Sequence, residues 1–469
     1  MKRRFLLTLA LLLCALPLRA QSPIALTHVT VIDGTGAKPK TDQAVLITGD
    51  RITAVGKTDR VALPEGTRVV DATGKFLIPG LWDMHVHGTG IPHFSELYVA
   101  NGITGIRDMF SPTMAYVQMT RKAIESGQAV GPRIVAAGRI VDGPKPIWPG
   151  SVAVKDAEEG RKAVETVKKE GSDFVKVYSL LPRDAYFAIA EEAKKQGMVF
   201  AGHVPDVVSA AEASDAGQKS IEHLTGVLKA CSSREADIMH PDASLSPEQR
   251  DDFVTQAELE AYDDAKARAL FARFKRNHTW QCPTLVVLHN IAYLNDKSVT
   301  EDSRIQYLPS YATGTWNPKN DFRFQNLPAN YWTNAQKRYR KNLEIVGKMR
   351  KAGVEFLAGT DTMNPFCFPG FSLHDELAYL VEAGLTPMEA LQSATLNPAR
   401  YLGREKDLGT VAPGKLADLV LLDADPLQDI HNTIKIRAVF TNGRFNDRAV
   451  LDKMLNDAKA AAKPAPAKP

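Results

Sequence analysis

The chain has 469 residues, of which 44% are hydrophobic and 24% are charged. These proportions are typical of globular proteins and exclude a wholly disordered, collagen-like or polytopic membrane protein. The length exceeds that of one ordinary domain, so we expect a large domain accompanied by a smaller one. The net charge of +4 equals the four basic residues among the first 20 positions, and the remainder is balanced. We therefore expect no nucleic-acid partner.

The first 20 residues have the pattern of a secretory signal peptide. Residues 2–4 are basic, residues 5–16 are almost wholly apolar, and Ala20 offers a small residue at a cleavage point. This pattern predicts export to the periplasm or beyond, with residues 1–20 removed. An uncleaved anchor and a lipid anchor at Cys14 are the alternatives. No apolar run reaches the roughly 18 residues of a membrane-spanning helix, so the mature chain should carry no integral membrane segment.

The cysteine content argues against a disulfide framework. An exported chain meets an oxidising environment, yet only Cys231, Cys282 and Cys367 follow the signal peptide. Three cysteines allow at most one disulfide, and the choice of pair is open. Their spacing contains no Cys-x-x-Cys, so a cysteine-based zinc site is not expected.

Both ends of the mature chain are rich in short strands. Residues 24–72 alternate apolar and polar side chains between closely spaced turn residues, and the same pattern returns near the C-terminus. Such alternation is typical of antiparallel strands. We predict that residues 21–75 and 405–450 pair into one small β-sandwich domain. Residues 451–469 are rich in alanine, lysine and proline, and we expect a disordered tail there.

The middle of the chain, residues 76–404, alternates strand and helix patterns. Helical periodicity occurs, for example, at 157–170, 183–196 and 334–352. Apolar runs that predict buried strands lie at 76–84, 103–108, 133–137, 174–178, 199–203, 220–223, 280–288 and 356–361. Eight strands alternating with helices predict an α/β fold with a (β/α)8 barrel of the TIM type. A doubly wound sheet is the alternative, but no Gly-x-Gly-x-x-Gly turn supports it.

Residues 229–332 form a long stretch between predicted barrel elements. Residues 229–270 are polar and mostly helical in pattern, whereas residues 307–332 contain seven aromatic residues, among them Trp316. A long irregular aromatic segment predicts a lid or a substrate wall. The alternative is a packed surface excursion or a contact between the subunits of a homo-oligomer.

The strongest local motif is Trp-Asp-Met-His-Val-His at residues 82–87. Residues two apart on a strand point to the same side, so His85 and His87 can bind one metal ion together. The apolar run before them predicts a buried strand, and Gly88 after them predicts a loop. Ligands at the carboxyl end of a barrel strand lie where barrel enzymes have their active sites.

Four further polar residues lie in or at the ends of predicted barrel strands. Lys176 lies inside an apolar strand, where an unmodified lone lysine would be costly to bury. His203, His223 and Asp361 each end a predicted strand. Each alone fits an ordinary structural role, such as a core histidine bonded to a carbonyl or a helix-capping aspartate. Together with the two histidines of the first motif, they favour a metal site.

These motifs resemble the amidohydrolase superfamily of metal-dependent hydrolases, in particular its imidazolonepropionase-like and Xaa-Pro dipeptidase-like branch. The resemblance covers residues 24–450. It rests on Ile-Pro-Gly-Leu-Trp-Asp-Met-His-Val-His at 78–87, Phe-Val-Lys-Val-Tyr at 174–178, Ala-Gly-His at 201–203, Ile-Glu-His at 221–223, Gly-Thr-Asp at 359–361 and the closing run at 409–426. The motifs are specific for the superfamily and much less so for a substrate.

The resemblance implies a site for two divalent metal ions, with zinc the first choice for imidazole-rich ligands. His85, His87 and Asp361 would bind the more buried ion, and His203 and His223 would bind the second. A carboxylated lysine would bridge the two ions.

The bridging role falls to Lys176, and a carbamate there would explain a lysine in an apolar strand. Asp361 would accept a proton from a metal-activated water and pass it to the leaving group. Tyr178 lies two residues after Lys176, on the same strand face, so its hydroxyl would reach the developing oxyanion. Packing at the strand end is the alternative role for Tyr178.

Contacts with the substrate are predicted from position alone. His289 follows the apolar run at 280–288, His93 lies in a loop near a barrel end, and Trp316 belongs to the aromatic segment. These three residues are our candidates. The sequence offers no evident arginine that would bind a substrate carboxylate.

We therefore expect an exported two-metal amidohydrolase that hydrolyses the C–N bond of a small-molecule amide. A dipeptide, an Xaa-Pro-like substrate and an N-acyl amino acid are the candidate substrates. One alternative keeps the metals but cleaves a cyclic amide, lactone or ester. A second alternative is a metal-binding barrel without catalysis, although a complete ligand set with a general base at Asp361 speaks against it.

Overall fold

The computed structural model describes residues 22–325 and 327–463. The predicted signal peptide at residues 1–20 lies outside the described residues, as does the end of the predicted tail at 464–469. Among the described helices, none is both long and apolar enough to cross a membrane.

The described chain begins with short strands, which are β1 (Ile24–Val31), β2 (Lys40–Thr48), β3 (Arg51–Lys57), β4 (Arg68–Asp71) and β5 (Phe76–Pro79), with a 3₁₀ turn over Thr58–Arg60. Strand β1 pairs antiparallel with β2 along one edge. On its other edge, its first half pairs parallel with β4 and its second half pairs parallel with β5. Two register shifts on either side of Val29 accompany this change of partner.

The strands of the central region form two parallel sheets. They are β6 (Leu81–His87), β7 (Ile103–Phe110), β8 (Arg133–Ala136), β9 (Ile140–Asp142), β10 (Val152–Ala153), β11 (Val175–Val177), β12 (Phe200–Gly202), β13 (Ser220–Glu222) and β14 (Trp280–Cys282). One sheet has the order β6-β7-β8, and the other has the order β10-β9-β11-β12-β13-β14.

Helices lie between these strands and after them. They are α1 (Phe94–Ala100), α2 (Met114–Glu125), α3 (Ala157–Lys169), α4 (Arg183–Lys195), α5 (Ala210–Asp215), α6 (Val227–Ala230), α7 (Glu235–Met239), α8 (Pro247–Leu259), α9 (Asp264–Asn277), α10 (Leu285–Ala292), α11 (Lys297–Thr300), α12 (Ser310–Thr313), α13 (Tyr331–Ala352), α14 (Phe371–Glu382), α15 (Pro387–Ser393) and α16 (Leu396–Tyr401), with 3₁₀ turns at Ser303–Tyr307 and Phe322–Phe324. The helices predicted at 157–170, 183–196 and 334–352 are confirmed as α3, α4 and α13.

The segment 356–362 joins the two parallel sheets. Leu357 N donates to Gln281 O of β14 at 2.9 Å, and Met84 N of β6 donates to Ala358 O at 2.8 Å. The sequence predicts the eighth strand here, but the segment makes isolated bridges to its neighbours instead of a regular strand. The fold is therefore TIM-barrel-like, with two parallel sheets connected through this segment.

The strand predicted at 280–288 is wrong beyond Cys282. Strand β14 ends there, Pro283 follows, and α10 begins at Leu285. Thr284 has a φ of 48°, in the left-handed region that ends a strand. An apolar run is equally compatible with a buried strand and a buried helix, so hydrophobicity alone could not locate the end of the strand at Cys282.

The chain ends with β15 (Leu419–Leu422), a 3₁₀ turn at Ile430–Ile434, β16 (Ile436–Thr441), β17 (Arg444–Asp447) and α17 (Arg448–Ala461). Strands from both chain ends combine in one mixed sheet of order β17-β16-β15-β5-β1-β2-β3, with β4 paired to β1. Where the sequence predicts a sandwich, the structure has this one continuous sheet. The domain limits at 21–75 and 405–450 stay a prediction.

The disordered tail predicted at 451–469 is wrong for its first part, which belongs to α17. The side chains of Leu451, Met454 and Ala458 are buried, and the helix packs against α1. Their spacing places them on one helix face. Composition alone could not reveal this helix. Alanine and lysine dominate the segment, and although both are good helix formers, lysine is also common in disordered tails.

Two hydrophobic cores support the fold. The main core lies between the parallel sheets and their helices, and a second core lies against the mixed sheet. Leu77 and Leu421, from opposite ends of the chain, are both buried in the second core. Cys231, Cys282 and Cys367 are buried and free, so the disulfide that the sequence left open is not formed.

A buried carboxylate fixes the start of α10 against α14. Glu376 of α14 is fully buried and accepts hydrogen bonds from Leu285 N and from Val286 N, the latter at 2.8 Å. Its Oε1 has no hydrogen-bond partner among the residues that the structure describes. Burial raises the pKa of Glu376 to about 8, so its protonated form is favoured at neutral pH.

We predict that Glu376→Gln reduces the pH dependence of stability. Folding raises the pKa of Glu376 above its ordinary value of 4.5, so the native state holds a proton that the unfolded state releases. The free energy of unfolding should fall as the pH rises between those two pKa values, and the glutamine variant should lack this component.

Urea unfolding of both proteins at about pH 5, 6.5 and 8 measures the two slopes. Glu382→Gln is the matched control because Glu382 lies on the exposed side of the same helix. Equal slopes in the wild type and in Glu376→Gln would contradict the prediction.

Candidate active site

Six side chains predicted from the sequence converge at one end of the parallel sheets. Two lie on β6, one lies on β11, two directly follow β12 and β13, and one lies in the segment 356–362. They line a single cavity of about 430 Å³ and are His85, His87, Lys176, His203, His223 and Asp361. The convergence follows from the parallel arrangement, because the carboxyl ends of the strands meet at one edge.

The Asp361 carboxylate lies at the centre of this group. Its Oδ1 is 2.8 Å from His87 Nε2 and 3.4 Å from His85 Nε2, and its Oδ2 is 3.7 Å from His223 Nε2. Burial opposes ionisation, but His223, His87 and Lys176 together hold the pKa of Asp361 below its usual range. Asp361 and His223 both have a φ of 57°, and such left-handed conformations in residues other than glycine concentrate at functional sites.

Three of the histidines use Nδ1 to contact a side chain outside the cavity. His85 bonds Glu222 at 2.7 Å, His203 bonds Ser179 at 2.9 Å, and His223 bonds Thr284 at 2.6 Å. A metal-binding histidine commonly fixes its second ring nitrogen in this way. Each contact leaves Nε2 available on the cavity side.

Burial also keeps these histidines neutral. It lowers the pKa of His85 and His203 well below the usual value and the pKa of His223 to about 4, and Lys176 acts in the same direction. Neutral imidazole is the form that binds metal ions.

The donor set fits a divalent metal ion. His85, His87 and Asp361 each place one potential ligand atom within 4.8 Å of the others. His85 Nε2 and His87 Nδ1 are buried and make no hydrogen bond to the described residues. Two imidazoles and a carboxylate are ligands that zinc accepts.

Lys176 is an unusual lysine because it is only 1% exposed. Burial lowers its pKa to about 8, although Glu222 and Asp361 partly oppose this shift. Its Nζ lies 5.7 Å from the centre of the Tyr178 ring. This lower pKa enlarges the neutral, nucleophilic fraction of the amine near neutral pH compared with an ordinary lysine.

A buried ion pair supports His85 from behind. Arg107 Nη2 donates to both carboxylate oxygens of Glu222 at 2.9 Å, and both residues are 0% exposed. Arg107 also donates to Met84 O at 2.6 Å and to Tyr401 Oη at 2.8 Å. Charged side chains within apolar strands are the signal in the sequence for such a buried pair, but they do not identify Glu222 as the partner of Arg107.

Asp83 and Gly359 position the segment that carries Asp361. The buried Asp83 carboxylate accepts hydrogen bonds from Thr360 N at 3.0 Å, Thr360 Oγ1 at 2.7 Å and His85 N at 3.2 Å. A Cβ atom on Gly359 would lie 2.6 Å from Cys282 Sγ and 2.8 Å from His85 Cβ. Glycine is required there because the segment passes directly against β6 and β14.

Tyr178 directly follows β11 and lines the cavity. Its ring stacks on His203 with a centroid distance of 3.9 Å. Its hydroxyl oxygen accepts a hydrogen bond from Trp148 Nε1 at 2.8 Å. Burial raises the pKa of Tyr178 to about 12, so the phenol keeps its proton and can donate it to a ligand oxygen.

The structure does not place His289 in the cavity. The residue lies on α10, where its ring stacks between Tyr293 and Tyr379 at centroid distances of 4.8 and 4.9 Å. The prediction assumed a strand at 280–288 that ends beside the site. In the observed helix, Leu288 and Ile291 face the cavity instead.

Two other candidates for substrate contact also lie outside the cavity lining. Trp316 is only 2% exposed, donates its indole N–H to Met363 O at 3.2 Å and packs on Phe366. His93 precedes α1 with a φ of 65°. Trp316 therefore supports the cavity wall from behind and does not face a substrate.

The aromatic segment nevertheless reaches the site through a different residue. Phe322 lines the cavity, is 57% exposed and meets Trp148 edge to face at 5.7 Å. Arg323 and Asp321 line the cavity beside it. This arginine could not be found from the sequence, because residues 303–325 lack the periodicity that assigns a side chain to the interior.

Much of the cavity wall is apolar and aromatic. The contributing side chains include Phe110, Ile140, Trp148, Leu288, Ile291 and Phe322. A polar floor under an apolar wall is the usual composition of a small-molecule site, in which a few polar groups orient the ligand.

Comparisons with known proteins agree with this geometry. The sequence pattern of the Amidohydrolase family matches residues 76–445. The ochratoxinase of Aspergillus niger is 24% identical over 453 residues, which cover 82% of this chain and 78% of that protein. Two solved structures share the fold: bottromycin amidohydrolase has a TM-score of 0.75 at 23% identity, covering 93% of this chain and 90% of its own. A Xaa-Pro dipeptidase with bound methionine has a TM-score of 0.65 at 22% identity, covering 91% and 100%.

The family pattern spans most of the chain and includes every one of the six converging residues. The resemblance that the sequence motifs indicate is therefore confirmed. This chain belongs to the amidohydrolase family and is a hydrolase that acts on carbon–nitrogen bonds.

Proposed function

We propose that this protein is an exported two-metal amidohydrolase that cleaves the amide bond of a dipeptide or an N-acyl amino acid. One observation carries the proposal. Four histidines, a buried lysine and a buried aspartate face one cavity, and Asp361 contacts the Nε2 atoms of three of those histidines. A barrel that only binds a metal would not need this carboxylate as a general base.

Two divalent ions, with zinc the first choice, would share these ligands. His85, His87 and Asp361 would hold the first ion, since their donor atoms already lie within 4.8 Å of one another. His203 and His223 would hold the second, and their ring centres are 5.0 Å apart. The bonds from Nδ1 to surrounding side chains support this assignment because they direct Nε2 into the cavity.

Lys176 would bridge the ions as a carbamate. Its neutral amine would attack the carbon of carbon dioxide, form an N–C bond and release one proton, leaving a carboxylate on the lysine nitrogen. The lowered pKa of Lys176, about 8, supports this step because the neutral amine is the reactive form. The change also removes a buried cation beside three neutral histidines.

When bound, the two ions supply a water of lowered pKa and polarise the scissile carbonyl. Asp361 would accept a proton from the attacking water and pass it to the leaving nitrogen as the C–N bond breaks. The Tyr178 hydroxyl, whose oxygen already accepts from Trp148, uses its own proton to stabilise the developing oxyanion. The apolar wall at Phe322 and Trp148 excludes water from the opposite side of the substrate.

We predict that Asp361→Asn lowers amide hydrolysis by about 10²-fold or more, since the amide can neither accept the proton nor supply a carboxylate ligand to the first ion. Purified zinc-loaded protein is offered a pooled panel of dipeptides, N-acyl amino acids, cyclic amides and lactones, and products are identified by mass spectrometry. Asp184→Asn, at an exposed position on α4, is the matched control.

Amide products from the wild type and from Asp184→Asn only would support the proposal. Equal turnover by Asp361→Asn would refute the role of general base. Lactone or ester products alone would favour the alternative reaction at the same site.

We predict that Lys176→Ala binds at least one metal ion fewer per chain and retains only background activity. The physical reason is the loss of the one ligand that would contact both ions. Elemental analysis of the purified protein measures the metal content, and intact mass spectrometry of the wild type detects the added carbon dioxide. Lys229→Ala removes another buried lysine, on α6, and serves as the control. Two ions per chain in Lys176→Ala would exclude the bridging role.

A further inference from the structure

A fixed arginine lies in the wall of the active-site cavity. Arg323 belongs to the 3₁₀ turn Phe322–Phe324 and lines the same cavity as Asp361. Its guanidinium lies 5.3 Å from the centre of the Trp148 ring. Its Nη1 donates to Asn364 Oδ1 at 2.6 Å, and Asn364 Nδ2 donates to Asp361 O at 3.1 Å. The guanidinium is thus two hydrogen bonds from the main chain of the proposed general base.

The local structure around Arg323 occurs twice in the insertion, the stretch of residues 229–332 between the barrel elements. In both Asp302-Ser-Arg304 and Asp321-Phe-Arg323, the aspartate accepts from the main-chain N–H of the arginine. In both, Nε and Nη2 of the arginine also donate to that same carboxylate. The motif therefore has a structural role wherever it occurs, and it does not by itself indicate a ligand.

The two copies differ in the group that meets Nη1. Arg304 Nη1 donates to the carboxylate of Asp375 at 2.6 Å, so this arginine lies between two carboxylates. Arg323 Nη1 donates at the same distance, 2.6 Å, to the neutral amide oxygen of Asn364. Only the second copy lines the cavity. The Arg323 copy therefore has one negative charge fewer at the place where a ligand can enter.

The donor count of Arg323 is consistent with an additional acceptor. A guanidinium has five N–H groups, and three of them are used by Asp321 and Asn364. The remaining two have no acceptor among the residues that the structure describes. The copy at Arg304 shows that the same motif accommodates a second carboxylate beside the first.

We propose that Arg323 determines substrate specificity by binding a carboxylate of the amide substrate. The inference rests on the proposed function and narrows its substrate class to amides with a free carboxylate, such as N-acyl amino acids and dipeptides, over neutral amides. Trp148, Phe322 and Leu288 would receive the apolar part of that substrate. Arginine suits this role better than lysine because its planar, fixed donors match a carboxylate.

The test compares two ligands that differ only in the carboxylate, N-benzoyl-L-leucine and its carboxamide. Binding is measured by calorimetry in metal-loaded Asp361→Asn protein, with and without Arg323→Gln, so that turnover is not needed. We expect Arg323→Gln to weaken binding of the acid by about 10- to 100-fold, the effect of losing charge-assisted hydrogen bonds. Binding of the carboxamide should change by less than about threefold.

Arg304→Gln is the matched control because it removes the same motif outside the cavity. Arg323→Lys keeps the positive charge but lacks the planar, paired N–H donors of the guanidinium, so it should bind the acid with intermediate affinity. Equal weakening of both ligands by Arg323→Gln, or equal effects of Arg323→Gln and Arg304→Gln on the acid, would overturn the proposal. The proposal would also be overturned if Arg323→Gln left binding of the acid unchanged, or if the Asp361→Asn protein with Arg323 intact bound the acid no more tightly than the carboxamide.

The proposed function is tested separately in the same preparations. Wild-type protein with Asp361 intact is given both compounds, and release of benzoate is followed by chromatography. Binding that depends on Arg323 without release of benzoate would retain the carboxylate site and refute the amide hydrolysis of this class. Release of benzoate at a kcat/KM that is independent of Arg323 would support the amide hydrolysis and refute the carboxylate site at Arg323.

Discussion

The buried ion pair of Arg107 and Glu222 is the contact on which the active site depends. Removing two charges from water is costly, and here the cost is offset by hydrogen bonds from Arg107 to Met84 O and to Tyr401. Both Glu222 oxygens accept hydrogen bonds from Arg107, so the carboxylate acts as an acceptor and its contact with His85 places a proton on Nδ1. The lone pair of His85 then lies on Nε2, beside Asp361. Electrostatics inside the barrel thus set the tautomer of His85, one of the proposed metal ligands.

Conformational strain and close packing are concentrated at the same rim. Asp361 and His223 occupy left-handed backbone conformations that most residues avoid. Asp83 holds the Asp361 segment through Thr360, and Gly359 allows that segment to pass against His85. An extended segment with isolated bridges can place a side chain more freely than a regular strand, where alternation fixes its direction. The irregular eighth element is therefore suited to carry Asp361, the proposed proton acceptor.

The sequence was informative where chemistry and strand pattern coincide and misleading where they do not. His85, Lys176 and His203 could be placed because each ends or occupies an apolar run, and parallel strands bring such positions together. His289 could not be placed, since the run before it is apolar in both strand and helix. Arg323 could not be found because its contact with Trp148 joins segments distant in sequence, and no local pattern records a tertiary contact of this kind.

Arg304 and Arg323 share one local structure but differ in role. Arg304 only attaches the insertion to the barrel, whereas Arg323 is also proposed to select the substrate. Two copies of the same Asp-x-Arg motif attach the insertion to the barrel. Arg304 bonds Asp375 on α14, and Arg323 bonds Asn364 near Asp361. At the first attachment, Arg304 lies between the carboxylates of Asp302 and Asp375, so it has a structural role only. The second lies in the cavity wall with an amide where the first has a carboxylate, so attachment and recognition use the same side chain. Because Asn364 also bonds the main chain of Asp361, an anion bound at Arg323 would be positioned relative to the reacting bond by a short, rigid connection. If Arg323 has this role, substitutions in residues 229–332 would alter which amide is accepted and leave the proposed metal ligands in place.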